Sequence, residues 1–278
     1  MSGKLYVVAT PLGNLADISA RALQILSSVD LIAAEDTRHT KILLKHHAIT
    51  SKMTSLHGHN EEGKAPSIVD DCLAGKSVAL VSDAGTPLIS DPGHLLIKQA
   101  IAAGVQVVPI PGASAVIAAL SVSGLNTDRF LFEGFLPVRN SRRKKRLQEL
   151  AQQPVTVVFY EAKHRLLVFL QELIDVFGAE RQAVIARELT KQFEQVQRGS
   201  IAELRAYFVA NTEYLRGEFV VLVEAGEETA ADTLEQDNWL RCLLAELPVS
   251  KAAAVVAKVT GGKKQLLYKR ALELQAGD

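Results

Sequence analysis

Four short Gly/Pro loops carry the residues best suited to hold a ligand: Thr10-Pro11-Leu12-Gly13-Asn14, Ser82-Asp83-Ala84-Gly85-Thr86-Pro87, Asp91-Pro92-Gly93 and Pro111-Gly112-Ala113-Ser114-Ala115. Glycine lets backbone N–H groups approach a ligand, and proline sets the loop shape without offering a donor. Several chemistries are excluded by what the spacing lacks. No G-x-G-x-x-G occurs, so the dinucleotide fingerprint is absent. Gly75-Lys76-Ser77 imitates the end of a phosphate-binding P-loop, but position 70 is Asp and a strand follows instead of a helix. Gly112-Ala113-Ser114 lacks the second glycine of a nucleophile elbow, with Val116 in its place, so Ser114 reads as a hydroxyl or helix-capping contact. His57-Gly58-His59 reads as a solvated loop, and no metal is expected. What remains is a pocket of backbone, small side chains and one central acid, Asp83, suited to a nucleoside-type ligand without phosphates. S-adenosylmethionine meets that description: adenine in an apolar slot, its carboxylate on backbone N–H groups, and its cationic groups or ribose hydroxyls near a carboxylate. Other ligands meet it too.

The charges form a second pattern. Lys+Arg and Asp+Glu are equal at 31 each, giving a net charge of zero. Yet residues 139–146 hold six cations and no acid, and residues 251–270 hold six more and again no acid. The remaining chain has 19 bases against 31 acids, so neutrality is a cancellation between segments. Segregated cations favour a polyanionic partner. Cys72 and Cys242 are far apart in sequence, which supports neither a disulfide framework nor a zinc ribbon and fits a reducing cytoplasm. No signal-peptide core and no membrane-spanning run is present, so a soluble cytoplasmic protein is expected, with no membrane partner.

These loops need a frame. Apolar runs at residues 5–9, 31–34, 78–81 and 105–110 read as strands, alternating with helical stretches that start after Asp17 and near residues 38, 66 and 94. Such alternation implies a largely parallel, covered sheet, whose ligand cleft lies at the carboxyl ends of the strands. Residues 123–126 resemble a linker, after which strands at 130–135, 155–160, 183–187 and 219–223 and helices near 142–150, 164–176 and 201–209 suggest a second α/β domain. An acidic, polar stretch at 227–237 reads as a linker into a helical tail, where Ser250 caps one helix, Gly261-Gly262 stops it and Lys263-Lys264 open another. That tail is either a helix-turn-helix or a packing arm. The expected domains are therefore 1–122, 123–226 and 227–278.

TPLGNLADIS, AEDTRHT, SDAGTPLISDPG, PIPGASA, FEGFLP, ARELTKQFE and RGEFVVLVE follow one another across residues 10–224. This set resembles the bacterial 16S ribosomal RNA cytidine 2′-O-methyltransferases of the tetrapyrrole-methylase superfamily. The resemblance implies two α/β domains of the tetrapyrrole-methylase type with the S-adenosylmethionine cleft between them, and a homodimer. It places the cofactor against Leu12, Gly13, Asp83, Ala84, Gly85, Ile89, Ser114 and Ala115, with Tyr160, Thr190, Gly217, Glu218 and Phe219 from the second domain. It also implies 16S ribosomal RNA, or the small ribosomal subunit, as partner. A tetrapyrrole or other small-molecule methyltransferase on the same fold, and a non-catalytic ribosome-assembly RNA-binding protein, are the alternatives.

Methylating a ribose 2′-hydroxyl, a very weak acid, calls for alignment and for a proton acceptor. Glu35 or Asp36, directly after a strand, would be that acceptor, with Arg38 orienting the acid or holding a phosphate; the competing reading is a helix cap with a surface ion pair. Arg139, Arg142, Arg143, Lys144, Lys145 and Arg146 would bind RNA phosphates, joined by Lys263 and Lys264 of the tail. Six phosphates on single-stranded RNA would give a log–log salt slope of roughly −4.

Overall fold

Short apolar runs in the first half of the chain assemble into one parallel sheet in the computed structural model, which describes residues 3–226 and 230–276. Its strands are β1 (Lys4–Val8), β2 (Leu31–Ala34), β3 (Met53–Ser55), β4 (Val78–Val81) and β5 (Gln106–Ile110), in the order β3-β2-β4-β1-β5. Helices α1 (Ala20–Ser28), α2 (Thr37–His46), α3 (Glu61–Leu73) and α4 (His94–Ala102) make the crossovers that parallel neighbours require. Side chains alternate across the sheet. Val78 and Leu80 of β4 pack with Ala65, Ile68 and Leu96, whereas Ala79 and Val81 pack with Ala22, Leu26 and Leu44. Both faces are covered, which is why β1, β2, β4 and β5 read as apolar runs, whereas the edge strand β3, Met-Thr-Ser, does not. Ser19 caps α1 by accepting from the Ala22 N–H, and Asp17 closes a short 3-10 turn before it.

The second sheet runs β6 (Phe130–Phe135), β7 (Thr156–Ala162), β10 (Glu218–Val223), β8 (Gln182–Arg187) and β9 (Gln195–Ser200) in that spatial order. Only β6 and β7 are parallel; the other pairings are antiparallel. The reason is the connections: β8 and β9 are joined by a short loop at 188–194 with no crossover helix, and β10 returns between β7 and β8. Helices α6 (Asn140–Ala151), α7 (Leu166–Phe177) and α8 (Ile201–Ala210) cover one face. The other face receives Val116, Ala119 and Leu120 of α5 (Ala115–Ser123).

By its contacts the chain divides into two units, Met1–Glu224 and Ala225–Asp278. The second contains α9 (Ala230–Leu244), α10 (Val249–Thr260) and α11 (Lys264–Ala276), around Leu240, Ala253, Val256, Leu267 and Ala271. Within it, Arg270 makes a forked pair with the buried Asp237 carboxylate at 2.6 and 2.9 Å. The polar stretch expected as a linker is helical from Ala230 onward, residues 227–229 lying outside the described part. Pro248, not Ser250, occupies the N-cap of α10, and Gly261 ends that helix at φ +75°, as a left-handed C-terminal cap requires.

Candidate functional site

The loops at the carboxyl ends of β1, β4 and β5 face the ends of β6, β7, β8 and β10. Thr10 and Gly85 exchange backbone hydrogen bonds at 2.8 and 2.9 Å, which fastens the first two loops to each other. Gly85 sits at φ +77°, and a Cβ there would come within 3.3 Å of Leu12 Cδ2. Between these loops and the second sheet lies a cavity of about 550 Å³. Leu12, Ala84, Gly85, Ile89, Ser114, Ala115, Tyr160, Gly217, Glu218 and Phe219 all line it. Two other residues assigned to the cofactor, Gly13 and Asp83, instead line a neighbouring cavity of about 370 Å³. Thr190 lines neither; its hydroxyl is buried without a partner among the described residues.

Sequence reasoning passed over several lining residues. Phe135 stands edge-on to Tyr160, ring centres 5.5 Å apart. Glu161, only 2% exposed, has its carboxylate bound by the Ala162 N–H and by Arg165. Lys191 donates to Glu188 and to Glu218, both at 2.9 Å. Burial pushes the Tyr160 hydroxyl up to about 12, so it stays protonated at neutral pH.

A second cluster lies where β2 and β4 end side by side. Glu35 accepts the Asp83 N–H at 3.3 Å, and Asp83 accepts the Asp36 N–H at 3.1 Å. Burial raises Glu35 above the ordinary carboxylate value, and the charges of Asp83 and Asp36 add to that. Burial also lifts Asp91 to about 6, with Glu35 and Asp83 contributing. Nothing in the Asp-Pro-Gly sequence of a turn announces this.

Two assignments need correction. Asp36 is the N-cap of α2: it accepts the Arg38 N–H at 2.8 Å and pairs with the Arg38 guanidinium at 2.7 Å. The hydrogen bond from that side chain holds Asp36 down to about 2, and the pair forms the helix cap and surface ion pair of the competing reading. The second correction concerns α6. Arg143 is 8% exposed, with its guanidinium forked onto Glu172 at 2.6 Å in both bonds and onto the Val138 carbonyl at 2.8 Å. Arg146 is bound to Glu133 and Glu149. Neither is free for phosphate. Arg139, Arg142, Lys144 and Lys145 are exposed and have no ion-pair partner among the described residues, as do Lys263 and Lys264 at the start of α11.

A nucleoside-sized cavity at the carboxyl ends of a parallel sheet, closed from the far side by a second, mixed sheet, defines the class. Residues 4–205 match the family described as Tetrapyrrole (Corrin/Porphyrin) Methylases, and the chain belongs to that family. Residues 230–275 match a second model, the RsmI C-terminal HTH domain. The ribosomal RNA small subunit methyltransferase I of Pseudomonas aeruginosa is 50% identical over 99% of this chain and 98% of its own length. Its Vibrio cholerae counterpart is 52% identical over 97% of this chain and 94% of its own. Within the methylase family the chain therefore falls in the ribosomal RNA small subunit methyltransferase I group. A solved uroporphyrin-III C-methyltransferase from Thermus thermophilus, complexed with S-adenosyl homocysteine, shares the fold at TM-score 0.57 and 16% identity, over 80% of this chain and 97% of that one. No described helix is long and apolar enough to cross a membrane.

Proposed function

We propose that the protein transfers a methyl group from S-adenosylmethionine to the 2′-hydroxyl of a cytidine ribose in 16S ribosomal RNA. The observation that carries this is identity of about one half, along nearly the whole chain, to relatives named ribosomal RNA small subunit methyltransferase I. The larger cavity suits the cofactor by its chemistry as well as its size. Ala84, Gly85 and Ala115 keep its first-domain side low, and Ile89, Phe135 and Tyr160 offer apolar surface. Leu12, Ser114, Gly217 and Phe219 complete the set that would hold it.

Bound S-adenosylmethionine supplies an electrophilic methyl carbon on a sulfonium. The protein's part is to align the acceptor and to manage one proton. Glu35 and Asp83 form the accepting pair: Asp83 faces the smaller cavity, and Glu35, raised by burial, lies behind it on the Asp83 N–H. Arg139, Arg142, Lys144 and Lys145 provide an exposed cationic stripe for RNA phosphates, with Lys263 and Lys264 a second one. A cytoplasmic homodimer acting on the small subunit fits this chemistry, and residues 1–122, 123–226 and 227–278 are its proposed domains. The test is transfer of labelled methyl from cofactor to 30S subunits of a deletion strain, with the modified nucleotide mapped. Incorporation at one cytidine ribose is expected; none into any 30S or naked 16S RNA would overturn the proposal.

A further inference from the structure

The two cavities share a wall. Leu12, Lys191 and Glu218 line both of them. Lys191 belongs to the loop joining β8 to β9, in which Glu188 (φ +52°) and Thr190 (φ +66°) hold left-handed conformations. Non-glycine residues keep such conformations only where the surroundings impose them, and they gather at functional sites. The Lys191 side chain is fixed along its length. Its stem crosses the β1 loop so closely that a Cβ on Gly13 would lie 2.2 Å from Lys191 Cγ, and its ammonium is held by Glu188 and Glu218. On the far side of this wall, the smaller cavity is bounded by His39, Ile42 and Leu43 of α2 and by Asp83.

We propose that the smaller cavity receives the acceptor nucleotide, and that Lys191 stands where the ribose oxygen meets the methyl donor, its ammonium stabilising the charge that develops on that oxygen. The inference rests on the methyl transfer proposed above and adds the acceptor's place and a catalytic residue. The ribose hydroxyl proton passes to Asp83, which lines the same cavity. The oxygen bonds to the methyl carbon as the carbon–sulfur bond breaks, and that electron pair stays on sulfur. Burial by itself would lower the Lys191 ammonium, but the hydrogen bonds to Glu188 and Glu218 outweigh it and raise it, so Lys191 acts as a fixed charge and not as a base.

Three variants of the full-length protein test this. Lys191→Met keeps the stem and removes the charge; Lys191→Arg keeps a charge; Ile42→Trp fills the smaller cavity from a position that is 62% exposed, where bulk is tolerated by the fold. Each is measured for S-adenosyl homocysteine affinity by calorimetry and for single-turnover transfer to unmethylated 30S subunits. Each is also photocrosslinked to a 16S RNA fragment carrying 4-thiouridine at the acceptor position. Lys191→Met is expected to lose about a hundredfold in transfer rate at saturating RNA and saturating cofactor, the scale for one charge-stabilising donor. Lys191→Arg is expected to recover part of that rate. Ile42→Trp is expected to lose both transfer and the crosslink to α2 while binding S-adenosyl homocysteine normally. Normal transfer by Lys191→Met or by Ile42→Trp would overturn the inference, as would a parallel loss of S-adenosyl homocysteine binding in both. If the wild-type protein itself transfers no methyl, the methyl-transfer proposal fails instead, and the crosslink to α2 still decides where the RNA sits.

Discussion

Asp91 couples the acid cluster to pH. Its folded value of about 6 stands above the ordinary 3.8, so the fold favours the protonated form. The stability it contributes is therefore fully present below the ordinary value and is lost as pH rises through about 6. Asp91→Asn should flatten stability between these limits and raise it at pH 7 by roughly 1 kcal/mol, the full shift being discounted for partial exposure to solvent. Denaturant midpoints measured across that range check this. For Glu35 and Asp83, Glu35→Gln and Asp83→Asn should each slow single-turnover transfer by roughly 10²–10⁴, the range for a general base, with cofactor affinity retained. Asp36→Asn, already ion-paired in the native protein, should leave the rate near normal. At this scale the sequence disclosed residue types and loops but not partners. Asp83 was visible as an acid in a Gly/Pro loop. Its contact with Glu35 depends on β2 and β4 lying side by side, which no local pattern records.

Helix α6 shows how one run of cations divides into two kinds. Arg143→Ala should cost about 3–5 kcal/mol in unfolding experiments, because Glu172 would be left without its partner, and should leave the RNA salt slope untouched. Replacing Arg139, Arg142, Lys144 and Lys145 together by Gln should instead reduce the magnitude of that slope by roughly 3, four phosphates replacing the six counted from sequence. Filter binding over a salt series separates the two. Helix α8 begins with Ser200 and Glu203 in a reciprocal capping box, so Ser200→Ala should cost about 1 kcal/mol. Buried strands of the first sheet were legible because apolar runs between Gly and Pro have few alternatives. Strand β9 was not: its QVQRGS sequence is polar, as a sheet-edge strand can be. Strand direction in the second sheet was equally hidden, since alternation reports burial and not polarity of the chain. Nor did composition reveal α9, whose first residues are acidic enough to pass for a linker.

For the molecule as a whole, the charge pattern survives in reduced form. Of the twelve segregated cations, Arg143, Arg146 and Arg270 are consumed by internal ion pairs. The nine others have no ion-pair partner among the described residues. Every residue lining the larger cavity belongs to the first unit, and five of those nine cations to the second. A chain ending at Glu224 should therefore bind S-adenosyl homocysteine like the full protein by calorimetry but hold 30S subunits more weakly in filter binding. The strand order of the first sheet has a further consequence, in time. Both neighbours of β1, β4 and β5, come much later in the chain than β1 itself, Lys4 pairing with Gln106. At translation rates of roughly 5–20 residues per second, the N-terminal strand waits on the order of 5–20 s before its last neighbour exists. Until then its two edges are unpaired, which leaves β1 reliant on chaperone cover during synthesis.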